Sequence, residues 1–200
     1  MKELVFATRN ANKAREIQDL VKGSYKLLSL NDIGFEEDIP ENQPTIEQNA
    51  LQKARYINNL FQIDCFAEDT SLEVEALHGW PGVYSARFAE LTNEIINNEN
   101  ISDANIRKLL NLMHEVSNRK ARFRTIIALI LSGKEYFFEG IVEGNIITER
   151  RGSYGFGYDP VFQPSGYQLT FAEMPLNQKN RISHRAMAVN KFVKFLETHS

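Results

Sequence analysis

The chain has 200 residues, with 23 Lys and Arg against 26 Asp and Glu, for a net charge of −3. It lacks the surplus of cations needed to coat a nucleic-acid backbone, though not the few that a small polyphosphate ligand requires. Composition is ordinary for a globular chain, 42% hydrophobic and 24% charged, and the length allows a substantial buried core without staples; the single cysteine, Cys65, excludes an internal disulfide framework.

Leu4–Ala7 reads as a short buried strand and Thr8–Asn12 as a polar loop. Ala14, Ile17, Leu20 and Val21 then recur at helical spacing, with Gly23 as a stop. Tyr25–Leu30 reads as a second strand. Residues 31–44 form an acidic loop that holds Glu36, Glu37, Asp38 and Glu41. Thr45-Ile46-Glu47-Gln48 has the form of a capping box before a helix marked by Ala50, Leu51, Ala54, Ile57 and Leu60. Cys65–Ala67 is a strand expected to end at two adjacent acids, Glu68 and Asp69. HGWPG at 78–82 is a turn. The Asn-rich stretch 92–105 starts irregular, and Ile106, Leu109, Leu110 and Met113 mark a helix. Ala121–Leu131, a turn at Ser132–Glu135 and Tyr136–Phe138 form a hairpin, with Ile141–Thr148 as a further strand. Ser183 caps a last helix that runs through Val189, Phe192, Val193 and Leu196. Helices and strands intermix without repeats or a linker, so the class is α/β or mixed α+β, and the hairpin argues against a wholly parallel sheet. The N-terminal apolar run is too short for a signal-peptide core and no run approaches a membrane span. A soluble, cytoplasmic protein is expected.

Four stretches have the composition of a ligand site. FATRNANKAREI, a strand–loop–helix opening, offers backbone amides and the positive end of a helix dipole, joined by Thr8, Asn10 and Lys13; it lacks the glycines of a P-loop, and a plain Asn-capped connection has the same appearance. Glu41, Glu68 and Asp69 are hard oxygen ligands of the kind Mg²⁺ takes, and a carboxylate can accept a proton from an attacking water. The alternative is a solvated acidic edge. GSYGFGYDPVF alternates Gly155 and Gly157 with Tyr154, Phe156 and Tyr158, which suits a stacked nucleobase at ~1–3 kcal/mol per stack, or else an aromatic turn on the core. In KNRISHRA, Ser183 as cap puts His184 and Arg185 in a first helical turn. Two basic residues there oppose the macrodipole, which favours a functional explanation.

Taken in order, ATRNANK, AEDTSL, WPGVYSARF, GFGYDPVF and ISHRA resemble the inosine triphosphate pyrophosphatases over essentially the whole chain. The resemblance implies a long mixed β-sheet flanked by helices, an α/β fold in one catalytic domain (1–200) with two lobes and a cleft between them, and a homodimer. It implies Mg²⁺-dependent hydrolysis of a nucleoside triphosphate such as ITP, dITP or XTP to the monophosphate and pyrophosphate. Asp69 then corresponds to the general base and a metal ligand, Glu41 to a second metal ligand, and Glu68 to an assisting acid. Thr8, Arg9, Asn10, Ala11, Asn12, Lys13, Lys53 and Thr70 correspond to phosphate contacts. Phe156, Gly157, Tyr158 and Asp159 correspond to the base-side wall, and Lys179, His184 and Arg185 to further substrate contacts. The chain departs from the family at Arg9 and Ser71, where glycine is common, and at Gln48, where bacterial members often have Glu. Two other readings are a nucleotide-binding regulatory module without catalysis and a pyrophosphatase for other modified nucleotides. Glu41 and Asp69 weigh against the first, because added negative charge does not help a pure binder of a polyanion.

Overall fold

The computed structural model describes every residue except Met1, Lys22–Ser24, Ile95–Asn97 and Ser200, so the expected stop at Gly23 lies outside the described residues. In chain order the elements are β1 (Lys2–Phe6), α1 (Ala11–Leu20), β2 (Tyr25–Leu28), α2 (Ile46–Phe61), β3 (Cys65–Val74), β4 (Pro81–Gly82), α3 (Ile101–Leu112), β5 (Lys120–Leu131), β6 (Lys134–Ile146), β7 (Phe162–Pro164), α4 (Leu176–Ile182) and α5 (His184–Thr198). The sheet order is β2-β1-β3-β5-β6-β7, with β4 paired to β3. β1 is parallel to both β2 and β3, Val5 facing Leu28 on one side and Cys65 on the other. β4 joins β3, and β7 joins β6, antiparallel. The result is the mixed sheet of an α/β fold.

The chain divides into two compact units. The first comprises Met1–Asp69, Thr125–Ile141 and Ser183–Ser200, and the second Thr70–Arg124 and Val142–Ile182. In the first, strand alternation sorts the side chains onto two faces. Leu4, Phe6 and Phe66 join one core with Ile17 of α1 and Ala188, Val189 and Phe192 of α5. Val5, Ala7, Cys65 and Ala67 join another with Ala54 and Ile57 of α2. Both faces of the sheet are therefore covered, as in parallel sheets generally, and the β5 residues of this unit are buried without a break from Thr125 to Ile130. Burial pushes the Cys65 thiol up to about 12, and its Sγ donates to the Ala54 carbonyl, so it is an inert core group.

The second unit has a single core. Leu72 and Val74 of β3, Ile106 and Leu109 of α3, Phe123 of β5 and Ile146 of β6 meet Tyr158, Phe162 and Phe171. Here β5 alternates, with Ala121 and Phe123 buried between exposed Lys120 and Arg122, the pattern of a strand with one solvated face.

Four helices have side-chain caps. Asn10, Thr45, Asn100 and Ser183 each accept from first-turn amides of α1, α2, α3 and α5. The two-residue β5–β6 turn places Ser132 and Gly133 at φ 50° and 75°, the geometry a type I′ turn demands. Two expectations are corrected. β3 does not end at the paired acids but continues through them to Val74. The stretches 136–138 and 141–148 are not separate strands, since β6 runs unbroken through Gly140. That glycine is not a break: a Cβ there would lie 1.9 Å from the His184 carbonyl oxygen and 2.6 Å from the Ala188 nitrogen, so it admits α5 against the strand.

Candidate active site

Because β3 runs through the two acids, successive side chains leave it on opposite faces. Cys65 and Ala67 face the α2 core and Phe66 faces the α1/α5 core. Glu68 continues the second set and Asp69 the first. Glu68 accordingly meets α5 and α1: its carboxylate takes Arg185 Nε at 3.2 Å and Nη2 at 3.0 Å, and lies 3.7 Å from Lys13 Nζ. Arg185 also binds Glu16 of α1. All three charged groups of this Glu16–Arg185–Glu68 set are buried. Burial opposes the guanidinium charge, but the two carboxylates outweigh it and its pKa is raised. Arg185 therefore has a structural reason to stand in the first turn of a helix, bonded as it is to Glu68 and Glu16. His184 beside it is also buried.

Asp69 meets α2. Lys53 Nζ lies 3.8 Å from Asp69 Oδ1, donates to Glu41 Oε1 at 2.7 Å and donates to the backbone carbonyl of Glu68 at 2.8 Å. Burial raises the pKa of Asp69 against the pull of Lys53 and Lys13, with Glu41 and Glu68 adding repulsion. Burial opposes the charge on Lys53, but Asp69, Glu41 and Glu68 prevail and its pKa is raised. The loop that carries Glu41 is held by α2: Gln43 N donates to Asn49 Oδ1 at 2.9 Å, and Gln52 Nε2 donates to Asn42 Oδ1 at 2.8 Å.

Glu41 and Asp69 thus converge on one cation, which is what the acid pair needs to hold a divalent ion. Two carboxylates with water and phosphate oxygens fit Mg²⁺. Glu68 does not join them, because the strand turns it to the other face and Arg185 bonds both its oxygens, so the three acids expected together are not brought to one point. Among the described residues no three His, Cys, Asp or Glu side chains gather around one point.

The loop before α1 is preorganised differently from the expected amide cradle. Asn10 Oδ1 accepts from the amides of Asn12 and Lys13, both at 3.1 Å, and Asn10 N donates to Thr8 Oγ1 at 3.2 Å. Two first-turn amides are therefore occupied by the cap, which leaves more of an anion's recognition to side chains. Ala11 is exposed and Asn12 half-buried at the helix start, and Arg9 is exposed and bonded to Asp38.

In the second unit, Thr70 follows Asp69 along β3 and is half-buried. Lys179 Nζ donates to Asp159 Oδ2 at 2.6 Å, both side chains buried, and stands 5.2 Å from the Phe156 ring centroid. Asp159 Oδ2 also accepts from Phe156 N at 2.9 Å. Gly155 has φ 73°, and a Cβ there would lie 2.0 Å from Asp159 Oδ2, so only glycine admits this closure. Gly157, also at positive φ, and Phe156 are half-buried. Lys179 is thus tied to the aromatic loop, whereas Lys13 and Lys53 belong to the first unit. Tyr158 departs from the expected base-side wall. It is buried in the core, its hydroxyl donates to the Ser85 carbonyl at 3.0 Å, and burial raises its pKa.

The Ham1 family pattern matches residues 4–195. The chain belongs to the Ham1 family. A dITP/XTP pyrophosphatase of Christiangramia forsetii is 50% identical to it over 194 residues, 97% of this chain and 98% of that one. One from Bacillus subtilis is 41% identical over 201 residues, 98% of each. Among solved structures, the Ham1 protein of Staphylococcus aureus matches with a TM-score of 0.86 at 34% identity over all of both chains. The nucleoside-triphosphatase / dITP/XTP pyrophosphatase of Mycobacterium abscessus matches with a TM-score of 0.75 at 34% identity, over 95% of this chain and 98% of that one. Both the resemblance drawn from the five motifs and the α/β mixed-sheet fold are borne out.

Among Ham1 residues of this chain that the motif reading passes over, Glu16 and Asn49 stand out. Glu16 is one helical turn beyond Lys13, and Asn49 one turn before Lys53, so each shares a helix face with a residue already singled out. That spacing was the available signal. Only the three-dimensional partners, Arg185 for Glu16 and the Gln43 amide for Asn49, give it meaning.

Proposed function

We propose that this Ham1 protein hydrolyses non-canonical purine nucleoside triphosphates, dITP, ITP and XTP, to monophosphate and pyrophosphate, and so clears them from the nucleotide pool. The observation that carries the reading is the convergence of Asp69 and Glu41 on Lys53, in a chain half identical to a dITP/XTP pyrophosphatase. Mg²⁺ held by Asp69 and Glu41 would neutralise charge on the triphosphate and its pyrophosphate leaving group. Asp69 orients water for in-line attack on the α-phosphorus and accepts its proton. A raised carboxyl pKa makes Asp69 a better base than an ordinary aspartate once it is ionised. Lys13 and Lys53 stabilise the developing charge, and little covalent work falls to the protein. Phe156, braced through Asp159 and Lys179, offers a ring face for the purine. A 6-oxo purine presents an acceptor where adenine presents a donor, and helix-start N–H groups such as those of α5 suit the acceptor. A buried donor left facing another donor costs about 1–3 kcal/mol.

Among the described residues no helix is long and apolar enough to cross a membrane; a cytoplasmic homodimer is the accompanying proposal, resting on the resemblance. The test is pyrophosphate release from ITP, dITP, XTP, GTP and ATP with and without Mg²⁺. Rates should be far higher for ITP, dITP and XTP and vanish in chelator. Asp69→Asn should lower turnover by about 10²–10³-fold, by analogy with loss of one transition-state contact. Equal efficiency on ATP and ITP would defeat the reading.

A further inference from the structure

The loop Thr8–Lys13 carries two cations with different commitments. Lys13 lies against buried Glu68, with 15% of its side chain exposed. Arg9 is 45% exposed at the side chain, and its Nη1 meets Asp38 Oδ1 at 3.1 Å, a carboxylate that is itself 93% exposed. Asp38 ends the acidic run Glu36-Glu37-Asp38 and stands three residues before Glu41, whose carboxylate is fixed on Lys53. The pair therefore ties the loop before α1 to the loop that delivers an acid to the catalytic centre, entirely within the first unit. Since the Asn10 side chain already occupies the amides of Asn12 and Lys13, an anion arriving at this helix start depends on side-chain cations.

An exposed ion pair is weak, whereas a guanidinium matches phosphate oxygens with two parallel hydrogen bonds. We infer that Arg9 is a polyphosphate-binding residue that Asp38 holds in reserve: it exchanges its single bond to Asp38 for the terminal phosphates of the substrate, and Asp38 acts as a built-in competitor for that cation. This rests on the proposed triphosphate site and adds to it an exchange device made of two exposed residues. Asp38 touches no substrate in either state and acts only through Arg9.

The two roles give opposite signs. If the pair merely braced two loops, Arg9→Gln and Asp38→Asn would shift affinity in the same direction. With exchange, Arg9→Gln should raise KM for dITP about tenfold, the loss expected for a charge-assisted bond, and Arg9→Lys should restore part of it. Asp38→Asn should lower KM by about 1.5–5-fold, the worth of an exposed pair, with kcat unchanged. Removing an acid near a polyanion also helps by plain electrostatics, so the double variant decides. The gain from Asp38→Asn should vanish in the Arg9→Gln background, whereas long-range charge effects would simply add. Titration calorimetry with inorganic tripolyphosphate gives the same cycle in Kd without turnover. If that cycle holds while dITP is not cleaved, the exchange stands and the proposed reaction fails. Additive effects, same-sign effects or no binding of tripolyphosphate would overturn the exchange.

Discussion

Arg185→Leu separates a buried charge network from a mere run of contacts. The wild-type guanidinium is 2% exposed at its side chain, the carboxylates of Glu68 and Glu16 are 0% and 6% exposed, and water can reach none of the three to any extent. Replacing the cation by Leu leaves two carboxylates facing one another in the interior. Breaking a buried pair from one side costs about 3–5 kcal/mol, mostly through the charge left behind. For a chain of this size each kcal/mol moves the midpoint by about 2–4 °C, so Tm should fall by about 6–20 °C. The sign with pH follows from the two acids that lose the guanidinium, Glu68 keeping Lys13 at 3.7 Å. Their folded-state pKa values rise above the unfolded ones, so their ionisation costs stability as pH rises through the folded values; the deficit should be largest at neutral pH and shrink on acidification. The triple variant Glu16→Leu/Glu68→Leu/Arg185→Met removes all the charges together and should recover most of the loss, since apolar replacement of a whole network is often neutral or stabilising. Thermal unfolding across pH reads each step. A melting point for Arg185→Leu within about 2 °C of the parent, or a deficit insensitive to pH, would refute the account of the network.

Asp69→Asn should raise the melting temperature in chelator while lowering turnover by the same about 10²–10³-fold. Burial and the neighbouring acids raise the folded pKa of Asp69, so its ionisation destabilises the fold once pH passes the unfolded value; the wild type should lose stability relative to the variant as pH climbs through the carboxylate range. Lys53 benefits from the same pairing, but it keeps Glu41 and the Glu68 carbonyl in the variant, so the balance at Asp69 sets the sign. Gly140→Ala should cost at least about 1–3 kcal/mol, seen as a lower melting point, because its Cβ would meet backbone atoms of α5 rather than a flexible side chain. Tyr158→Phe should cost about 1 kcal/mol through the lost bond to the Ser85 carbonyl and leave KM for dITP unchanged; a tenfold rise in KM would return that ring to the substrate wall.

Much of the fold was legible because its signals are local. The caps at Thr45 and Ser183, the hairpin and the apolar periodicities each follow from neighbours within a turn or a strand. What failed did so where tertiary packing overrides a local cue. Gly140 lies between two stretches that read as separate strands, yet it is required by the approach of α5, whose first residues lie more than forty positions away. The aromatic alternation around Gly155 reads either as a platform for a nucleobase or as an aromatic turn on the core, and the resemblance makes it a ligand wall. The structure instead divides it, with Phe156 beside Lys179 and Tyr158 in the core.

The adjacent acids show how a small error in an element's length changes the chemistry assigned to it. If β3 stopped at Ala67, Glu68 and Asp69 would sit on a flexible end and both could turn toward one ion. Because the strand continues to Val74, its two-residue period forces them apart. Glu68 goes to the face of α1 and α5, where Arg185 neutralises it, and its backbone carbonyl still helps hold Lys53. Asp69 goes to the face of α2, where Lys53, shared with Glu41, lies 3.8 Å from its Oδ1. One acid thereby anchors the strand, and the other is left at the proposed catalytic centre with a raised pKa. Exchanging the two positions, Glu68→Asp with Asp69→Glu, keeps the charge and composition but shortens the side chain that must reach Arg185 and lengthens the one that must meet Lys53. The swap should therefore lower both melting temperature and turnover. Retention of both would mean that an acid on each face suffices, whatever the length of its side chain.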